Sequence, residues 1–197
     1  MGARLLLIRH AQSEWNADGR WQGWADPALS ESGAAACAAA REDPILDQVE
    51  AAAASDLSRA WRSAELLAEG RPWEPVLTVR GLRERGAGAW TGLTRDEIEQ
   101  RWPGALRTQF AAIPGGEAIG SVTARGVAAL HRVAERFPGK NVLVVSHGAL
   151  IRVITHHLGV MPEHVPNLGG LWVEVSEAQL RPGDAVGPMG TDVVQRA

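Results

Sequence analysis

The sequence predicts an α/β fold, a mostly parallel sheet with helices on both faces, and three observations carry that prediction. Two short apolar runs, Leu5-Leu6-Leu7-Ile8 and Val142-Leu143-Val144-Val145, are continuous rather than alternating, the pattern of strands buried on both sides. Between them lie stretches with apolar residues at helical spacing, so strands and helices alternate along the chain. Each run also ends in a histidine, in Arg9-His10 and in Ser146-His147-Gly148. Open parallel sheets bind ligands in the crevice outside the carboxyl ends of their strands. A guanidinium beside an imidazole at that place suits a doubly charged anion such as phosphate. The arginine's planar donors match the anion's oxygens and stay charged at any working pH.

The elements follow in order. Residues 4–9 are the first strand, and Gln12 to Pro27 is a polar loop containing Gly and Trp. Ser30-Glu31-Ser32-Gly33 leads into an Ala-rich helix reaching Arg41, which Pro44 ends. Ala51 to Ala54 is a strand by position, since alanine has little strand propensity. Leu57 to Glu69 reads as a helix with Ala60, Ala64, Leu67 and Ala68 on one face, stopped by Gly70 and Pro72. Val76 to Val79 is a short strand; 94–102 and 105–112 are short helices split by Pro103-Gly104. Ser121 to Phe137 is an amphipathic helix, opened by the turn and capping chemistry of Gly115-Gly116-Glu117. A strand at 141–146, a helix at 149–158 and a strand from Leu171 to Val175 come next. The Gly- and Pro-containing tail after Gln179 offers only an edge strand near Asp192 to Val194. With no internal repeat and no linker, residues 1–197 are expected to form one domain.

Composition excludes several classes. A formal net charge of -3 gives no global attraction to nucleic acid or to acidic membranes. No apolar stretch approaches membrane-spanning length, and Arg9 interrupts the N-terminal run before a signal-peptide core could form. Cys37 is the only cysteine, so no intramolecular disulfide forms and a cytoplasmic location is expected. Cys37 is followed by an arginine four places on, too close for the loop of a cysteine phosphatase. Lys140, the only lysine, sits in a Pro-Gly-Lys turn without the glycines of a P-loop. His156 and His157 are adjacent on a helix and point about 100° apart, so they do not chelate one ion easily. No metal site and no cofactor are expected.

Arg9-His10-Ala11-Gln12-Ser13-Glu14-Trp15-Asn16 resembles the signature of the histidine phosphatase superfamily, the fold of cofactor-dependent phosphoglycerate mutase. The likeness continues in order through Gln22-Gly23-Trp24, Asp26-Pro27-Ala28-Leu29-Ser30 with Gly33, and Ser55-Asp56-Leu57-Ser58-Arg59-Ala60. Leu82-Arg83-Glu84, with Gly88, Trp90, Gly92, Leu93 and Thr94, is similar to the family's acid-bearing loop, and Gly115-Gly116-Glu117 and Ser146-His147-Gly148 complete the set. Ala11 stands where the family usually has Gly, which requires a backbone there that alanine accepts.

The resemblance implies a metal-independent phosphomonoesterase of the histidine acid phosphatase type. His10 would be the nucleophile that forms a phosphohistidine, because a neutral imidazole attacks phosphorus without adding charge to a dianion. Arg9, Arg59 and a protonated His147 would surround the phosphoryl oxygens and stabilise charge in flight. Ser13, Asn16, Gln22, Gly23 and Gly148 would add neutral donors. Glu84 would protonate the leaving oxygen and then deprotonate the incoming water. The residues also admit blander readings: Arg59 as partner of Asp56, Glu84 as one end of a surface salt bridge, and Glu14, Arg83 and Arg85 as solvent-facing supports. Trp21, Trp24 and Trp102 are either core or the wall of the site's mouth.

Within the family, mutases carry a longer insertion after this loop with a lysine and paired arginines. Arg95 to Pro114 is short, holds Arg95, Arg101 and Arg107 singly, and has no lysine, which favours hydrolysis of a small phosphorylated metabolite. A mutase-type phosphotransferase and an inactive phospholigand-binding domain are the alternatives. Leu168 to Val175 could supply an edge strand or apolar patch for a homodimer.

Overall fold

The computed structural model describes residues 2–108, 110–162, 164–177 and 179–190. Six strands form one sheet: β1 (Ala3–Arg9), β2 (Ala51–Ala54), β3 (Leu77–Thr78), β4 (Asn141–Ser146), β5 (Gly170–Val175) and β6 (Leu180–Val186). Their order is β3-β2-β4-β1-β5-β6. β1, β2, β3 and β4 pair in parallel, while β5 runs antiparallel to both β1 and β6. The sheet is therefore mostly parallel.

The continuous apolar runs are explained by what lies on each face. Leu5, Leu7, Val142 and Val144 point to one side, against α5 (Ile119–Arg136) and α6 (Gly148–His157). Leu6, Ile8, Leu143 and Val145 point to the other, against α2 (Glu31–Ala40) and α3 (Ser58–Ala68). Successive strand side chains alternate, so a strand covered twice must be apolar throughout. β2 is four buried alanines, and its small side chains let Ala60 and Ala64 of α3 share one cluster with Ala52 and Ala54. Parallel pairing with β3 and β4 overrides the low propensity of alanine.

Several expectations need correcting. Ser13 caps a four-residue helix, α1 (Glu14–Ala17), inside the stretch read as loop. Of the helix expected at 105–112, the described residues form only the 3-10 turn Ala105–Arg107, after α4 (Arg95–Arg101). α5 begins at Ile119, with Ala118 at its cap and no side-chain capping bond, so Glu117 does not cap it. β6 falls in the tail that showed no strand signal through Pro182 and Gly183; both are tolerated because β6 lies at the sheet edge, where a missing N–H costs little. β5 lies between β1 and β6, so it offers no free edge to a second copy. The strand expected near Asp192 to Val194 lies outside the described residues.

Candidate active site

The parallel pairing of β1 with β4 sets Arg9 opposite Ser146, and the next residue of each chain is a histidine. The rings of His10 and His147 meet edge-on, with centroids 5.1 Å apart and planes at 62°. The backbone N–H of His10 donates to Ser146 O at 2.9 Å, which locks the two strand ends together. His10 is buried, and its Nδ1 lies 2.6 Å from Ala11 O. A carbonyl can only accept, so Nδ1 carries the hydrogen and the lone pair sits on Nε2. Arg59 donates from Nε to that Nε2 at 3.3 Å. Burial, reinforced by the charges of Arg59 and Arg9, pushes the His10 pKa well below its ordinary value. The ring is thus a neutral base of fixed tautomer.

Arg59 stands in the first turn of α3, almost fully buried. Its two terminal nitrogens donate to Ala25 O at 2.8 Å and Gly23 O at 3.0 Å, binding the loop before α2 to α3. Burial lowers its pKa to about 10, a value that still leaves it cationic at neutral pH; the carboxylates of Glu84 and Asp26 oppose the shift. Asp26 lies 3.8 Å from the guanidinium, while Asp56 pairs with Arg83 through two bonds of 2.7 Å. The pairing of Arg59 with Asp56 is therefore not formed. Four residues along the same face of α3, the Ser63 hydroxyl accepts from Ala11 N at 3.0 Å and donates to Arg59 O at 2.7 Å. Ala11 has no left-handed backbone, which is why alanine is accepted there.

Arg9 donates from Nη1 to Val165 O at 3.0 Å. Its pKa is lowered chiefly by burial, against the pull of Glu84 and with a further push from the charge of Arg152. The turn after Val165 contains Leu168 at φ 58, a left-handed conformation uncommon for leucine. Leu168 N donates to Arg9 O at 2.9 Å, and Asn167 Nδ2 to His10 O at 2.7 Å, so the strained turn clamps both strand-end residues.

His147 is fully buried, and burial above all, then the charges of Arg59 and His10, drives its pKa well down. The ring is neutral in this arrangement. Glu84 is half-buried, and its carboxyl group spans the first turn of α6. One oxygen accepts from Arg85 N at 2.9 Å and Leu150 N at 3.1 Å, the other from Ala149 N at 3.2 Å. It makes no surface salt bridge among the described residues; the N-terminus of a helix holds it instead.

Arg125, which the sequence did not single out, builds the platform under Glu84. Its guanidinium donates to the carbonyls of Gly81 at 2.9 Å, Arg83 at 2.6 Å and Glu84 at 2.9 Å, and forms two bonds of 2.7 and 2.8 Å with Glu117. Glu117 also accepts from Gly86 N at 3.1 Å. The Gly-Gly-Glu segment therefore ties the Glu84 loop to α5. Only its placement in space reveals this, because the partners lie far apart along the chain.

These groups open on a cavity of about 530 Å³. Arg9, His10, Arg59, Glu84 and Gly148 line its inner end, with Asn16, Gln22 and Gly23 beside them. Two expected residues stand apart from the lining. Ser13 is buried and its hydroxyl accepts from Asn16 N at 3.2 Å, so it caps α1 and orients Asn16. His147 packs against His10 at the end of β4, its ring nitrogens without a hydrogen bond among the described residues. Arg85 lines the cavity rather than facing solvent, fixed by bonds to Ala111 O and Glu117 O. Glu14 is exposed. Of the tryptophans, Trp21 walls the cavity, Trp24 is 47 % exposed with its indole N–H on Glu84 O, and Trp102 packs near Trp90. Among the described residues no group of three or more His, Cys, Asp or Glu could hold a metal ion, and no helix is long and apolar enough to cross a membrane.

Two imidazoles and Arg9 at the strand ends, Arg59 in the first turn of α3 and the Glu84 carboxyl group held at the start of α6 have the chemistry to handle a phosphate group. Residues 5–186 match the family model of the histidine phosphatase superfamily, branch 1. The chain is 36 % identical over 178 residues to a 2,3-bisphosphoglycerate-dependent phosphoglycerate mutase of Methylobacterium radiotolerans, covering 83 % of each protein. It is 33 % identical over 197 residues to a glucosyl-3-phosphoglycerate phosphatase of Mycolicibacterium vanbaalenii, covering 92 % of this chain and 87 % of that protein. A solved mycobacterial glucosyl-3-phosphoglycerate phosphatase in complex with VO3 superposes with a TM-score of 0.79 at 30 % identity, over 94 % of this chain and 98 % of the other. The chain belongs to the histidine phosphatase superfamily and is an enzyme of the phosphatase or mutase kind.

Proposed function

We propose that this enzyme hydrolyses a small phosphorylated metabolite through a phosphohistidine on His10, without a metal ion. The observation that carries the reading is the fixed tautomer of His10, with Nδ1–H bound to Ala11 O and the Nε2 lone pair beside Arg59. In the first step the Nε2 lone pair forms the P–N bond while the P–O bond to the leaving group breaks. Glu84 gives its proton to the departing oxygen. Arg9 and Arg59 hold the equatorial oxygens, where charge spreads in flight. In the second step water attacks phosphorus and passes a proton to Glu84. The P–N bond then breaks, and inorganic phosphate leaves with Nε2 restored. A phosphate dianion placed near His147 would oppose the desolvation that keeps that ring neutral and favour its taking up a proton from water.

Hydrolysis is favoured over transfer by the short segment from Arg95 to Pro114, which lacks lysine and adjacent arginines. The 36 % identity with a phosphoglycerate mutase keeps the transferase as the second reading. The test is release of phosphate from an aryl phosphate with and without chelator, in the wild type and in His10→Ala. Chelator-resistant release that disappears in the variant supports the proposal, and equal background rates in both sink it. Isomerisation of phosphoglycerate that depends on a bisphosphate primer, with no phosphate released, would instead make it a mutase.

A further inference from the structure

The ladders around β1 end at Arg9: β4 stops at Ser146, opposite Arg9, and β5 begins only at Gly170, opposite Ile8. The peptide that joins His10 to Ala11 is therefore the first one beyond them, with no strand left to pair it. Side chains from two other elements take its two polar ends. Asn167 donates from Nδ2 to His10 O at 2.7 Å, and Ala11 N donates to the Ser63 hydroxyl at 3.0 Å. The carbonyl and the N–H belong to one planar group, so the two bonds together fix its tilt, where either alone leaves it a hinge. Both grips are built with care for their own partners. Ser63 is fully buried and gives its hydroxyl proton to Arg59 O at 2.7 Å, one turn back on α3. Asn167 lies in a turn closed by Gly169 N on Pro166 O at 3.2 Å, and the residue after it, Leu168, is left-handed at φ 58. A leucine keeps that conformation only where the surrounding structure imposes it. The tilt of the peptide decides where the next carbonyl points. Ala11 O is the atom at 2.6 Å from His10 Nδ1, and its position leaves the lone pair on Nε2. If the peptide turns, that acceptor drifts and the ring is free to carry its hydrogen on Nε2, with no lone pair toward phosphorus.

We infer that Asn167 and Ser63 are positioning residues that act on His10 through this one peptide, holding the imidazole in the tautomer whose Nε2 is free. The inference rests on the reading of His10 as the group that attacks phosphorus. Neither residue is among the described residues that line the cavity, so neither meets the substrate. Loss of either therefore slows formation of the P–N bond and leaves substrate affinity as it was. Ser63 also shares α3 with Arg59, whose Nε meets His10 Nε2 at 3.3 Å, so one helix holds the ring and the peptide behind it.

The test joins 15N spectra of the full-length chain, near neutral pH, with turnover of an aryl phosphate. The ring signals of His10 are assigned by their loss in His10→Ala. The wild type is expected to show one protonated and one unprotonated ring nitrogen, the proton on Nδ1. Asn167→Leu, close in shape but without a donor, and Ser63→Ala, without an acceptor, are each expected to draw the two signals toward one another. Each is expected to lower kcat about fivefold or more while KM stays within about twofold. The double variant should lose clearly less than the product of the single losses, because a peptide freed at one end has little left to lose at the other. A wild-type ring already averaged between tautomers overturns the inference before any variant is made. So do variants that keep the wild-type spectrum, losses confined to KM, and losses that multiply. Either single variant decides alone if the other fails to fold. A wild type that releases no phosphate fails the hydrolase reading, whereas the spectra still test these two positions.

Discussion

At the inner end of the cavity every charged side chain is tied down by backbone: Arg9 by Val165, Arg59 by Ala25 and Gly23, Glu84 by three amides. Two other arginines of the lining, Arg95 and Arg152, form an outer pair with no such tether among the described residues. Arg9 stands at a strand end and Arg59 at a helix start, and Glu84 sits in a loop fixed to the start of α6. The outer ones reach in from a short helix and from one turn deeper in α6. The contrast separates two tasks. Phosphoryl transfer needs donors set in advance for a fixed tetrahedral group, so their freedom is lost on folding rather than during reaction. Recognition of a leaving group tolerates side chains that settle only when a ligand arrives.

The sharpest way to break that contrast is to remove the imidazole proposed to attack phosphorus. His10→Ala is expected to lower turnover of an aryl phosphate by about 10⁴-fold or more. If instead a loss of that size followed from Arg95→Ala, the division between the two ends would be wrong. Arg59→Met is expected next, with a loss of roughly 10²- to 10³-fold in kcat, the scale of deleting one fixed donor to a charge-bearing oxygen. Arg59 touches His10 Nε2 and two loop carbonyls at once. Its loss should therefore fall on kcat, and a change confined to KM would place it with the outer arginines.

The same division decides what could be read before the structure. His10 and His147 were legible because each follows a short apolar run, and a two-sided sheet leaves such runs no other use. Arg59 and Glu84 were legible because contiguous motifs carry them. Arg125 was not, since on α5 it is one more polar position of an amphipathic helix, and its partners at Gly81, Arg83, Glu84 and Glu117 meet it only in space. Asn167 gave no signal for the same reason. β6 was hidden by Pro182 and Gly183, because an edge strand escapes the rules that govern a central one. The depth of His147 was not legible, because residue type conveys charge but not burial, and burial dominates its shift.

Arg125 offers the third and smaller effect. Truncating it to Met strips five hydrogen bonds from the Glu84 platform and leaves the Glu117 carboxylate without its partner. A destabilisation of roughly 2–4 kcal/mol is expected in chemical denaturation. Since Arg125 does not line the cavity, the activity that remains at low temperature should keep the wild-type preference between substrates. A changed preference would mean that the platform shapes the outer end as well.

The smallest effect sharpens the picture of the inner end as a place hostile to extra charge. His10 and His147 have folded pKa values well below the ordinary 6.5, both chiefly through burial. In the unfolded chain each takes up a proton as pH falls through about 6.5, while in the folded protein each stays neutral. The unfolded state then binds more protons, so folding stability is full above that pH and declines below it. The decline approaches about 1.4 kcal/mol per pH unit for each histidine until the folded pKa is reached. Between pH 7.5 and pH 5.5 stability should therefore fall, with both rings contributing in the same direction. His147→Gln removes one titrating ring and is expected to halve that slope, measured as denaturant midpoint against pH. Phosphate should flatten it too, because an anion stabilises the protonated ring in the folded state alone. A wild-type profile that is level across this range would mean the two rings are not buried as neutral groups, and the fixed-tautomer account of His10 would fall with it.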